Sequence, residues 1–141
     1  TTQSARATVW RWRQAFQNDF AARMDWCVKS VKEANHKPLA IIDGDSSDEI
    51  IYLKVKGNSS VELNAAASTD PDNNVLSFKW WIYSDVTGST DKIEIEHPNS
   101  AQTRFRLGSS LVNQKVHAIL EVSDKGVPAL TAYRRVVFTI E

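Results

Sequence analysis

Ala66-Ala-Ser68-Thr-Asp70-Pro-Asp72-Asn-Asn74-Val-Leu76-Ser-Phe78-Lys-Trp80-Trp-Ile82 sets an acidic, proline-pinned loop directly before an alternating run with tryptophan at its centre. Leu76, Phe78, Trp80 and Ile82 alternate with Ser77, Lys79, Trp81 and Tyr83, the period of two that marks a strand with one face in a core. The pattern sends Trp80 inward and Trp81 outward. A loop of this kind leading into a strand with a core tryptophan predicts an immunoglobulin-like sandwich. The outward tryptophan needs a cover, and in a binding module the cover can be a ligand.

Short β-patterned runs separated by turn residues extend on both sides of this strand. They are Leu39 to Asp43, Ile50 to Val55, Ser60 to Ala66, Val75 to Tyr83, Lys92 to Glu96, Gln102 to Leu107, Lys115 to Ser123 and Thr131 to Ile140. Gly57-Asn58, Gly88-Ser89 and Gly126-Val127-Pro128 mark turns and loops. In the seventh run Val116, Ala118, Leu120 and Val122 form the core set; in the last, Val136, Phe138 and Ile140 share a face opposite Tyr133, Arg135 and Val137. If these strands flank the Trp80 strand, their outward faces combine into a patch of Lys79, Trp81, Tyr83, His117, Glu121, Tyr133 and Arg135.

Upstream of the sandwich the period changes. Val9, Trp12, Phe16, Phe20, Met24 and Cys27 recur every three or four residues, which predicts a helix over residues 5–28 with one apolar stripe widened by Trp10 and Trp26. Asn18-Asp19 offers side-chain hydrogen bonds that compete with a helix, so a break there and a continuous helix are both open. So aromatic a stripe has to dock on the following domain, on a preceding one or on a second copy. Lys29 to Lys37 is polar, ends at Pro38 and reads as a linker.

Composition narrows the class. A chain of 141 residues holds one core with an element attached. Formal net charge is zero, without the basic excess of a nucleic-acid binder. Residues 1–34 carry six basic and three acidic side chains, leaving 11 basic and 14 acidic for the rest, a split that suggests two segments of different origin. The single cysteine, Cys27, excludes an internal disulfide and a cysteine-based zinc cluster, and its place on the stripe predicts a buried thiol. No apolar run approaches 18 residues, so no membrane partner is expected, and the abrupt start at Thr1 predicts a piece of a longer protein.

Several stretches together resemble a known family: Trp10-Arg-Trp12-Arg, Gln17-Asn-Asp19-Phe-Ala-Ala-Arg23-Met-Asp25-Trp26, Ala34-Asn35-His36 with Pro38, Ser68-Thr-Asp70-Pro-Asp72, Phe78-Lys-Trp80-Trp-Ile-Tyr83 and Tyr133-Arg-Arg135. The chain resembles the C-terminal module of secreted bacterial cellulose-binding proteins that carry a nucleoside-hydrolase-like N-terminal domain. The resemblance implies that residues 1–34 are the helical tail of that upstream domain plus linker. Residues 35–141 would then be a mainly β, immunoglobulin-like sandwich similar to PKD and cadherin-type repeats, with antiparallel strands. It implies a secreted or periplasmic protein, cellulose or a similar polysaccharide as partner, and no catalytic pocket within this chain. Any nucleoside-hydrolase-like glycosidase activity would belong to the full-length protein. Such repeats usually read Asp-Pro-Asp-Gly-Asp, whereas Asn73-Asn74 stands here in place of the last two residues and removes one carboxylate.

Two candidate sites follow from the residues. In the outward patch Trp81 and Tyr83, roughly 7 Å apart by strand rise, suit stacking on neighbouring sugar rings, with His117, Tyr133 and Arg135 as hydrogen-bonding neighbours. The alternative is that the aromatic helix covers the patch as a second core. At one end of the sandwich Asn35, Asp70, Asp72 and Asp124 are candidate ligands for calcium, which takes six to eight hard oxygens; the alternative is that these aspartates shape turns. The run Asp43-Gly-Asp45-Ser-Ser-Asp48-Glu49 lacks the late glutamate of a calcium loop and reads as a solvated turn. None of His36, His97 and His117 lies in a nucleophile motif, which argues against hydrolysis by this chain.

Overall fold

A computed structural model describes residues 7–87, 90, 92–108, 111 and 113–141. Helix α1 (Ala7–Val28) precedes seven strands: β1 (Ile51–Val55), β2 (Ser59–Asn64), β3 (Ser77–Ile82), β4 (Ile93–Glu96), β5 (Gln102–Leu107), β6 (Lys115–Ser123) and β7 (Thr131–Ile140). They form a four-stranded sheet, β1-β7-β6-β3, and a three-stranded sheet, β2-β5-β4, packed face to face. The turn expected at Gly88-Ser89 lies outside the described residues.

The alternating pattern of the tryptophan strand sets the layers. Trp80 is only 2% exposed, stands edge-on to Phe105 at 6.0 Å and donates its indole N–H to the Ser100 carbonyl at 2.9 Å. Phe105 lies 5.3 Å from Phe138, and Val116, Leu120 and Val122 of β6 fill the space between the sheets. Each such side chain taken out of water contributes about 1.5–3 kcal/mol.

Pairing is antiparallel throughout except at one edge, where β1 runs parallel to β7 with Ile51 opposite Val136. The buried Arg134 explains the exception to the antiparallel arrangement expected from sequence. Its guanidinium donates to the carbonyls of Ala40, Asp45 and Glu49 at 3.0–3.3 Å and reaches the Asp45 carboxylate at 3.4 Å. This pins the approach to β1 beside the start of β7, so the two strands advance together. The strand expected at Leu39 to Asp43 is reduced to two isolated bridges, Leu39 to Thr69 and Ile42 to Asp45. Asp43 and Gly44 both take positive φ there, at 50° and 86°, and turn the chain back on itself.

Helix α1 is continuous through Asn18-Asp19, because both side chains are engaged away from the helix backbone. Asn18 Nδ2 donates to the Ala129 carbonyl at 2.8 Å, and the Asp19 carboxylate accepts from Arg23 Nε at 2.8 Å. The helix lies across the outward face of the four-stranded sheet. Trp12 meets Tyr133 edge-on at 4.9 Å and Trp81 at 5.7 Å, Arg11 pairs with Asp85 at 2.7 Å, and Trp26 donates its indole N–H to the Asn35 carbonyl at 2.9 Å.

The single apolar stripe expected from sequence is divided between two sides. Trp12 faces the sheet with Ala15 and the buried Ala22, whereas Val9, Phe16, Phe20 and Met24 are exposed on the other side. Helical geometry forces the division: residues 11, 15, 18 and 22 share one side, and 9, 16, 20 and 27 fall opposite. The small Ala15 and Ala22 let the helix approach the sheet. Cys27 is exposed, correcting the expectation of a buried thiol.

Candidate functional site

A cleft of about 500 Å³ opens between α1 and the outward face of the sheet. Its floor is built by the pleat: Lys79 of β3, Glu121 of β6 and Tyr133 of β7 lie in one row across adjacent strands, with Trp81 two residues along β3 and Thr131 two residues along β7. The roof is a polar side of the helix, with Arg11, Gln14 and Asn18 around Ala15. Trp81 is fixed by its indole N–H, which donates to Glu121 Oε1 at 2.9 Å, while Trp12 and Arg11 cover part of its ring. Burial, reinforced by the charge of Glu121, pushes the Tyr133 hydroxyl up to about 12, so it remains protonated and able to donate at neutral pH. The cleft therefore sets aromatic surface beside an amine, a carboxylate and side-chain amides.

Of the five residues expected at a glycan site, Trp81 and Tyr133 line this cleft. Tyr83, His117 and Arg135 form an adjoining group sealed from above by Arg11, whose guanidinium lies 5.3 Å from the Tyr83 ring. Arg135 lies over the same ring at 5.8 Å and donates to His117 Nδ1 from Nε at 3.1 Å and from Nη2 at 2.6 Å. Burial, with the charges of Arg135 and Lys115, lowers the His117 pKa, which suits a neutral ring that accepts from arginine. Trp81 and Tyr83 are 5.8 Å apart but inclined at 69°, so they offer two faces at an angle instead of one flat track. Sequence reasoning missed Arg11, Gln14, Asn18 and Thr131. The signal was the polar and small spacing 11, 14, 15, 18 on α1, which the surrounding aromatics masked.

The four side chains expected around calcium gather at one end of the sandwich as a hydrogen-bonded lock. Asn35, buried, donates from Nδ2 to Asp124 Oδ2 and to the Pro128 carbonyl, both at 2.9 Å, and its Oδ1 accepts from Asn74 Nδ2 at 3.0 Å. Asp124 Oδ1 accepts from the Gly126 and Leu130 amides, and Asp70 Oδ1 from those of Asp72 and Asn74, at 2.9–3.0 Å. The Asp72 carboxylate accepts from His36 N at 2.6 Å and lies 3.0 Å from His36 Nδ1; desolvation works against ionisation, but the His36 bonds outweigh it and hold the carboxyl below its usual range. Of these four side chains only Asp70 has a buried oxygen, Oδ2, without a partner among the described residues. One open oxygen falls far short of a calcium shell, and an amide N–H₂ aimed at Asp124 is a donor where a cation needs an acceptor. Among the described residues no three His, Cys, Asp or Glu side chains converge as a metal site, and the four side chains are engaged in hydrogen bonds with protein groups in this arrangement.

Residues 60–140 match the family described as cellulose-binding protein Sde0182, C-terminal domain. The chain belongs to this family. It is also similar, at 34% identity and TM-score 0.90, to the solved structure of a nucleoside hydrolase-related hypothetical protein from Saccharophagus degradans associated with carbohydrate metabolism. That match covers 93% of this chain and 32% of the other, so the chain spans about a third of the length of this relative. The human CDH23 EC21-23 structure aligns over 74% of this chain and 33% of its own, at 14% identity and TM-score 0.51, a likeness of fold. The PKD domain of the KIAA 1837 protein aligns over 64% of this chain and 82% of its own at 16% identity and TM-score 0.46. Comparison with curated proteins gave no match. The two packed sheets and the likeness to the CDH23 structure make the sandwich mainly β and immunoglobulin-like, and among the described residues no helix is long and apolar enough to cross a membrane.

Proposed function

We propose that the chain is a non-catalytic carbohydrate-binding module that takes a glycan in the cleft between α1 and the β3-β6-β7 face. The observation that carries this is the cleft itself, which joins Trp81 and Tyr133 to Lys79, Glu121, Gln14 and Asn18 within about 500 Å³. Sugar rings have apolar C–H faces rimmed by hydroxyls, and a pocket of this size with aromatic walls and a few convergent polar groups suits one or two of them. In this account Trp81 and Tyr133 supply the apolar contact, and Lys79 and Glu121 bond hydroxyls on either side. Tyr83, His117 and Arg135 act from behind by holding Arg11 and the floor in place. Two things support a non-catalytic role: His117 gives Nδ1 to Arg135 instead of to a nucleophile, and the family is described as the C-terminal domain of a cellulose-binding protein. The same description supports cellulose as the first ligand to try.

The test is retention on insoluble cellulose of the chain and of a Trp81→Ala, Tyr133→Ala double variant, with circular dichroism on both. Retention of the parent and release of the folded variant is the expected result. Absence of retention in the parent contradicts the proposal.

A second role is favoured by a separate observation, the exposed apolar side of α1. On this account the chain is also a structural module that packs against a nucleoside-hydrolase-like domain, with any N-glycosyl hydrolase activity in chain outside residues 1–141. The related protein, in which the matched region is 32% of the chain, supports that setting.

A further inference from the structure

We propose that the cleft takes single glycan chains, soluble or amorphous, and rejects the flat face of a crystalline polysaccharide. The proposal rests on the carbohydrate-binding reading above and adds the physical form of glycan that the site can reach. Retention on insoluble cellulose then comes from its amorphous chains.

A crystal face offers rings side by side in one plane, with their hydroxyl edges already bonded to neighbouring chains. Holding it takes aromatic rings that are coplanar and stand clear of the surface around them. Neither condition is met here. Trp12, Trp81, Tyr83 and Tyr133 are all half-buried. Trp81 is inclined at 69° to Tyr83 and at 42° to Trp12, and Trp12 stands at 90° to Tyr133. Arg11 lies over both Trp81 and Tyr83, at 5.7 and 5.3 Å from their ring centroids, and its pairing with Asp85 at 2.7 Å holds it there. A plane laid on this surface meets the helix before it meets the floor.

A chain without lateral neighbours meets no such barrier. Ser77, Ser123 and Thr131 form one row across the three strands, and Trp81 lies four residues along β3 from Ser77, so the floor runs about 13 Å from Trp81 to that row. The helix keeps pace with it. Arg11 stands over Trp81, and Asn18, seven residues or about 10 Å further along the axis, reaches the Ala129 carbonyl two residues before Thr131.

Polar groups with bonding capacity to spare line both sides of this length. Trp81 uses only Oε1 of Glu121, and Gln14 donates from Nε2 to Asn18 Oδ1 at 2.8 Å, which leaves Glu121 Oε2 and Gln14 Oε1 as acceptors. Lys79, opposite Glu121, forms no ion pair among the described residues and adds donors. Acceptors on the floor and on the roof can be used together only by a ring whose hydroxyls are open on both sides, which a ring in a crystal face is not.

The chain is titrated with cellohexaose by calorimetry and, in parallel, pelleted with acid-swollen and with highly crystalline cellulose. The expected result is binding of cellohexaose, retention on the swollen form that cellohexaose competes away, and no retention on the crystalline form. Gln14→Ala, which removes the roof acceptor at an exposed position of α1, should weaken cellohexaose binding roughly fivefold with an unchanged circular dichroism spectrum. Full affinity in Gln14→Ala would overturn the two-sided grip. Retention on crystalline cellulose that the Trp81→Ala, Tyr133→Ala variant loses would overturn the selectivity and leave the carbohydrate-binding reading standing. Crystalline retention that survives in that variant, or no binding to any of the three ligands, would overturn both.

Discussion

The two faces of the four-stranded sheet carry neighbouring tryptophans under different rules. On the inner face Trp80 is closed in by Phe105 and the β6 valines, and its one polar atom is satisfied by a backbone carbonyl. On the outer face Trp81 keeps part of its ring along a cleft, and its N–H is held by a carboxylate that itself lines the cleft. The inner layer maximises apolar contact; the outer layer places aromatic surface among Lys79, Glu121, Gln14 and Asn18 and leaves space between them. The difference teaches that covering an aromatic face with a helix does not make it a core. What matters is whether the covering side is apolar and close, and here the side of α1 over the cleft is polar.

The comparison breaks most visibly at its inner member. Trp80→Ala should cost about 3–5 kcal/mol in a denaturant titration, through lost contacts and an unfilled cavity. A cost below about 1 kcal/mol would mean that the inner face is not the core. Gly126 tests the lock at the sandwich end, because a Cβ there would come 2.1 Å from the Asn35 side chain. Gly126→Ala should therefore destabilise by about 1–3 kcal/mol, and Asn35→Ala in the same chain should relieve much of that clash. On the outer face, Trp81→Ala and Tyr133→Ala should each cost only about 1 kcal/mol, being half-buried, yet abolish retention on cellulose. Unfolding of either variant would make the outer layer a core after all.

The smallest effect is one of pH. The folded-state pKa of His117 is depressed, so below about 6.5 the unfolded chain takes up a proton that the folded one refuses. This contribution is complete above 6.5 and is lost as pH falls towards the folded value. Melting temperature should decline on acidification from pH 7 to 5, and His117→Gln should flatten that slope. An unchanged slope would show that burial and the neighbouring charges do not hold the imidazole neutral. Below this window, Asp72 adds a loss of the same sign as its own carboxylate protonates.

The sandwich was legible because period-two alternation is local and needs no partner to be seen. The ranges of β5, β6 and β7 match the expected runs residue for residue. Leu39 to Asp43 read as a strand for the same reason, but the positive φ at Asp43 and Gly44 is a turn decision that apolar pattern does not carry. The parallel edge was hidden because Arg134 beside it reaches three carbonyls 85 to 94 residues away, a contact that no local pattern displays. The site was half legible. Trp81, Tyr133, Lys79 and Glu121 follow from strand alternation, whereas Arg11, Gln14 and Asn18 depend on which side of α1 turns to the sheet. The aromatic stripe left its docking partner open, and the small Ala15 and Ala22 decide which side approaches the sheet.

The most direct test of the central claim is a titration of the isotopically labelled chain with a soluble β-glucan oligosaccharide, following the five indole N–H resonances, each assigned by single substitution. Binding in the cleft predicts that the Trp81 resonance shifts and saturates while those of Trp80, Trp10 and Trp26 stay in place. A saturating shift confined to Trp10 or Trp26, or no shift at Trp81 at any concentration, would contradict it.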